Sequence, residues 1–79
     1  MEKHVYTLVG TKCLCNYGGI AFYTRDDESD DVLFARYELG TDENAMEQCR
    51  VEDDAVDFKG QKIPLDEIMR SDSHAQVTA

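Results

Sequence analysis

Tryptophan is absent from this sequence, proline occurs once, and histidine occurs only as His4 and His74. With so few imidazoles, a nucleophile with a general base and an orienting partner is hard to assemble. No apolar run approaches the roughly 18 residues that a membrane-spanning helix needs. The glycines at Tyr17-Gly18-Gly19 run into a strand-like stretch, not a helix, so they do not read as a phosphate loop. Cations are scarce too: 8 Lys and Arg stand against 17 Asp and Glu, a net charge of −9. Such a field disfavours direct binding of nucleic acid or an anionic membrane. Cys13, Cys15 and Cys49 are odd in number and lack a framework spacing, which predicts free thiols in a reducing compartment. The stretch MEKHVYTLVG has neither the apolar core nor the cleavage site of a signal peptide, so cytoplasmic residence is expected. These shortages predict a non-enzymatic protein with no cofactor, metal or membrane anchor.

What is present centres on Cys13 to Leu39. Two runs rich in β-branched and aromatic residues, CLCNYGGIAFYTR and VLFARYEL, flank the block DDESDD, in which only Ser29 is uncharged. The first run carries its own turn signal in Asn16-Tyr17-Gly18-Gly19, where positive φ is tolerated. This pattern predicts a three-stranded antiparallel meander with an acidic loop between its second and third strands. The charge is segregated. Residues 26–57 hold thirteen acids against Arg36 and Arg50, whereas the segments on either side carry no acidic excess.

Along the chain, His4 to Leu14 alternates imperfectly, with apolar residues on both faces and Gly10 marking a bulge or bend. Ile20 to Thr24 is a strand by propensity. In Val32 to Leu39 the set Leu33, Ala35, Tyr37 and Leu39 is the better core face. Ala45 to Val51 is open between helix and strand, and the strand is favoured by its neighbours. Glu52-Asp53-Asp54 reads as a second acidic turn, and Val56 to Ile63 as a tight hairpin turning at Lys59-Gly60. Pro64 ends that strand. Leu65 to Arg70 predicts a helical turn that docks Leu65, Ile68 and Met69 on the sheet. Residues 71–79 are small and polar and read as a disordered tail. The fold class expected is α+β: one domain over residues 1–70, a small twisted antiparallel sheet of four or five strands, and a short C-terminal helical turn. A chain of this length buries a thin core.

Asp26, Asp27, Glu28, Asp30 and Asp31 form one acidic cluster; Asp42, Glu43, Glu47, Glu52, Asp53, Asp54 and Asp57 offer a second, and the partner-facing set expected from the two is the first cluster with Glu52, Asp53 and Asp54. Closely spaced carboxylates imitate the phosphate density of a nucleic acid and suit a basic protein surface. The plainer reading is a solvated loop that maintains solubility and blunts sheet edges. Asp26, Glu28 and Asp30 also have alternate spacing suggestive of a calcium loop, but the sixth position is Asp31 instead of glycine and the twelfth is Tyr37 instead of glutamate. The cysteines, with His4 or His74, are candidates for a zinc site, against which stands the unfavourable C-x-C spacing. The aromatics read as core packing more readily than as a stacking platform, since few cations are interleaved with them.

Leu14 to Tyr23 (LCNYGGIAFY) and Val56 to Arg70 (VDFKGQKIPLDEIMR) resemble short proteins encoded by bacteriophages and conjugative elements, in which a YGG hairpin precedes a closing strand–turn–strand and an LDExMR-type end. The resemblance covers about a third of the chain. It implies a protein that acts by binding host machinery. Small acidic anti-CRISPR proteins are similar in size and charge. The expectation is therefore a mobile-element inhibitor whose eight named carboxylates engage a basic surface of a nucleic-acid-binding protein. The alternatives are a homodimeric adaptor with acidic loops for solubility, and a cysteine-based metal module.

Overall fold

The two runs flanking the acidic block pair as neighbouring strands of a meander. The computed structural model describes residues 4–14, 18–29, 31–38, 46–70 and 74–78. The strands are β1 Val5–Leu14, β2 Gly18–Arg25, β3 Val32–Tyr37, β4 Glu47–Glu52, β5 Ala55–Phe58 and β6 Gln61–Pro64. A 3-10 turn, Leu65–Glu67, then leads to β7 Met69–Arg70 and β8 Gln76–Thr78. All pairings are antiparallel, in the order β6-β5-β4-β3-β2-β1-β7, with β8 also beside β1. The segment left open between helix and strand is β4, as the strand reading favoured.

The α+β expectation is overturned. Among the described residues the only helix is the three-residue 3-10 turn, and the sheet has eight strands, not four or five. A segment this short cannot recover the cost of helix nucleation. Pro64 (φ −62, ψ 141) and Ile68 (φ −88, ψ 118) bound the turn in extended conformation, and Met69–Arg70 bonds to the edge of β1 at Thr11 and Gly10. Ile68 and Leu65 reach the core. Met69, expected beside them, is 72 % exposed, because successive side chains of an extended segment point to opposite sides. Gln76–Thr78, expected in a disordered tail, pairs with Val5–Thr7, and Val77 packs on a core cluster.

The edge of β1 is shared in two pieces, and the break has a cause. The β1–β2 register slips by one residue between Leu8 and Gly10, leaving Val9 as the extra residue. Beside that bulge the outer partner changes from β8 to β7, with a register offset of three residues. The bond from Leu8 N to Ala75 O (2.8 Å) continues the β8 ladder up to it. Gly10 matters here for space: a Cβ would stand 2.6 Å from Met69 O and 2.7 Å from Ile68 Cγ2.

Five consecutive residues of β2, Gly19 to Tyr23, are buried. A strand with that pattern is covered on both faces. One face contributes Ile20 and Phe22 to the main core, with Leu33, Ala35, Cys49, Val56, Phe58 and Ile63. Residues of six strands share that cluster once Val9 is included, so the sheet curls around it. The other face contributes Ala21 and Tyr23 to a second cluster with Tyr6 and Phe34. Phe34, on the face of β3 that the alternation pattern ranked second, is 3 % exposed. Its ring meets Tyr6 edge-on at 5.3 Å, and the Arg25 guanidinium covers it at 4.6 Å.

Candidate partner-binding end

The β2–β3 loop and the β4–β5 turn leave the sheet at the same end of β3 and β4, because Val32 at the start of β3 pairs with Arg50 near the end of β4. Val51 N donates to Asp31 O at 2.8 Å, which ties the second connection to the first. Asp53 (φ 52) and Asp54 (φ 58) both adopt the left-handed conformation of a two-residue turn between β4 and β5. Aspartate tolerates that conformation better than most residues. Leu65 N donates to Asp54 O at 2.8 Å and anchors the turn from below.

Seven of the eight carboxylates expected to form the face lie at these two connections: Asp26, Asp27, Glu28, Asp31, Glu52, Asp53 and Asp54. Asp30 lies outside the described residues. The seven are not electrostatically alike. Arg25 Nε donates to Asp27 Oδ1, and Arg25 Nη2 donates to Glu28 Oε2 at 3.3 Å. His4 Nδ1 stands 3.6 Å from Asp26 Oδ1 and 3.5 Å from Asp27 Oδ2. Asp31, Glu52, Asp53 and Asp54 are exposed and enter no ion pair found among the described residues. Among the described residues, the carboxylates of this end without an ion-pair partner are therefore those of the second connection and Asp31.

Partial desolvation raises the Asp27 carboxyl, but the hydrogen bond and charge of Arg25, with His4 nearby, outweigh it and hold Asp27 below the usual carboxylate range. Tyr6 and then Asp27, as hydrogen-bond partners, raise the Arg25 guanidinium above its ordinary value. A shallow cleft of about 300 Å3 adjoins the second connection, lined by Glu52, Asp53, Ala55, Val56 and Asp57 and by the cations Arg50 and Lys62. Its mixed charge limits the acidic surface on that side.

Glu47 opens β4, at the far end from Glu52; its Oε2 is buried with no hydrogen-bond partner among the described residues. Asp42 and Glu43 lie outside the described residues. Cys49 is buried in the main core, where burial first, and then the Glu47 and Asp57 charges, push its thiol up to about 11. Cys13 is exposed, and Cys15 is outside the described residues. Among the described residues, no group containing a cysteine brings three metal-ligating atoms together.

Two residues that organise this end were absent from the expected set. Arg25 closes β2, and His4 lies 22 positions before Asp26, so no local spacing links it to the loop. The signal is in the ladder: Tyr6 pairs with Arg25 and Asp26 N donates to Val5 O at 3.1 Å, which continues the register toward His4 and Asp27.

Among the described residues no helix is long and apolar enough to cross a membrane. No protein-family model, curated protein or solved structure matches this chain.

Proposed function

We propose that this is a non-enzymatic interaction protein whose acidic end docks on a basic, nucleic-acid-binding surface of another protein and occludes it, as an inhibitor of the kind mobile elements direct at host machinery. The observation that carries this reading is the joining of two acidic connections at one end of the sheet through Val51 N and Asp31 O. Asp31, Glu52, Asp53 and Asp54 are exposed there without ion pairs among the described residues, so their field extends outward to a cationic partner. Arg25 consumes part of the first cluster internally, which favours the second connection as the larger part of the docking face. A homodimer built on exposed apolar sheet has less to use: Met69 is the only large apolar side chain that is exposed among the described residues.

The test compares wild-type protein with the Asp31→Lys, Glu52→Lys, Asp53→Lys triple variant, which leaves the Arg25 pairs intact. Each is used to capture partners from host lysate at low and at high ionic strength. A partner held by wild type at low salt, lost with the triple variant, and unable to bind nucleic acid while held supports the proposal. A partner retained equally by the triple variant removes it.

A further inference from the structure

The structure points to a divalent transition-metal site of the zinc class at His4, Asp26 and Asp27, and we propose that the protein binds such an ion there. One ligand-type atom from each residue lies within 4.8 Å of the other two, and this is the one such group among the described residues. The ladder between β1 and β2 builds it. Tyr6 faces Arg25, Asp26 N bonds to Val5 O, and the strand ends thereby bring His4 over the first two residues of the loop.

The separations carry the argument. A protonated imidazole beside a carboxylate closes to about 2.7–2.9 Å in a charge-assisted hydrogen bond. His4 Nδ1 instead stands 3.6 and 3.5 Å from the two carboxylate oxygens, beyond hydrogen-bond geometry for both. Atoms placed about 2.0–2.2 Å from a common tetrahedral centre are about 3.3–3.6 Å from each other, which matches the two separations that His4 Nδ1 makes with Asp26 and Asp27. Magnesium requires a tighter octahedral shell of oxygens, and calcium takes oxygen ligands at longer range, so the imidazole disfavours both. One imidazole and two carboxylates suit zinc and its neighbours, with a fourth position left for water.

Arg25 supports the geometry from behind. Its Nε holds Asp27 Oδ1, which leaves Oδ2 turned toward His4. Ligand carboxylates oriented by a second hydrogen-bond partner are the usual arrangement around bound metals. The Arg25 charge opposes the incoming cation, and the acidic excess of this end offsets it.

Asp26 and Asp27 belong to the acidic end as well, but the docking proposal gives the larger share to Asp31, Glu52, Asp53 and Asp54, so the two proposals can fail separately. The test is zinc chloride titrated into the full chain in chelator-free buffer, followed by calorimetry and by amide NMR. Binding of one equivalent, with shift changes centred on His4, Asp26 and Asp27 and no comparable effect of calcium chloride, is the expected result. His4→Ala should weaken zinc binding by about tenfold or more, while the Asp31, Glu52, Asp53 triple lysine variant retains a one-to-one complex at the same residues. Shift changes centred on Cys13, equal binding of calcium, or no binding by the wild-type chain overturns the proposal. The NMR map of the wild-type chain decides the matter even where His4→Ala fails to fold.

Discussion

The Arg25 guanidinium lies 4.6 Å above the Phe34 ring while its Nε holds Asp27, so one cation roofs the second core cluster and fastens the acidic loop. Arg25→Ala should uncover Phe34 and leave Asp27 and Glu28 without their counter-ion. The guanidinium stacks on the ring and forks to two carboxylates at once. Arg25→Ala should therefore lower the urea midpoint. Arg25→Lys should recover only part of the loss, because an ammonium cannot stack and fork together. Equal stability of all three proteins would show that the roof contributes nothing.

Gly10 has no room for a side chain where β7 crosses β1. Gly10→Ala should displace Met69–Arg70 from the β1 edge and cost about 1–3 kcal/mol, as overpacking does. Hydrogen exchange should report faster amides at Thr11 and Met69, with the β2–β3 ladder protected as before. Unaltered exchange at β7 would mean that the edge yields without loss.

Phe22 is fully buried at the centre of the main cluster. Phe22→Ala should cost about 3–5 kcal/mol. A chain of 79 residues has only about 4–12 kcal/mol in total at about 0.05–0.15 kcal/mol per residue. Circular dichroism should therefore show a protein close to half-unfolded at room temperature, or one with its thermal midpoint sharply lowered. A small shift in midpoint would place the core elsewhere.

The Cys49 thiol ionises at about 11, against 9.0 for an unperturbed cysteine. The folded state binds this proton more tightly than the unfolded state does. Its contribution to stability is therefore complete below pH 9 and lost as the pH rises toward 11. Urea midpoints should fall across that window, and Cys49→Ala should remove this part of the decline. At neutral pH, iodoacetamide should modify exposed Cys13 well before Cys49. Labelling of Cys49 first would contradict the burial.

Local pattern determined much of this protein. The meander and the turns at Asp53-Asp54 and Lys59-Gly60 follow from alternation and turn chemistry, which act over a few residues, whereas the strand at Cys49 was favoured only by its neighbours and Gly10 signalled a bulge or a bend without deciding between them. Charge segregation was equally plain, because it is a property of order along the chain. What only tertiary structure decided are the events that depend on distant partners. Leu65 to Arg70 has helical spacing, yet the open edge of β1 drew Met69–Arg70 into a ladder and left room for a single 3-10 turn. The same edge ordered Gln76–Thr78, whose composition is that of a tail. Phe34 lies on the face of β3 that alternation ranks second, and it is Tyr6 and Arg25 that close over it. His4 meets Asp26 and Asp27 because an antiparallel register brings the start of β1 to the end of β2, a relation that no spacing along the chain encodes.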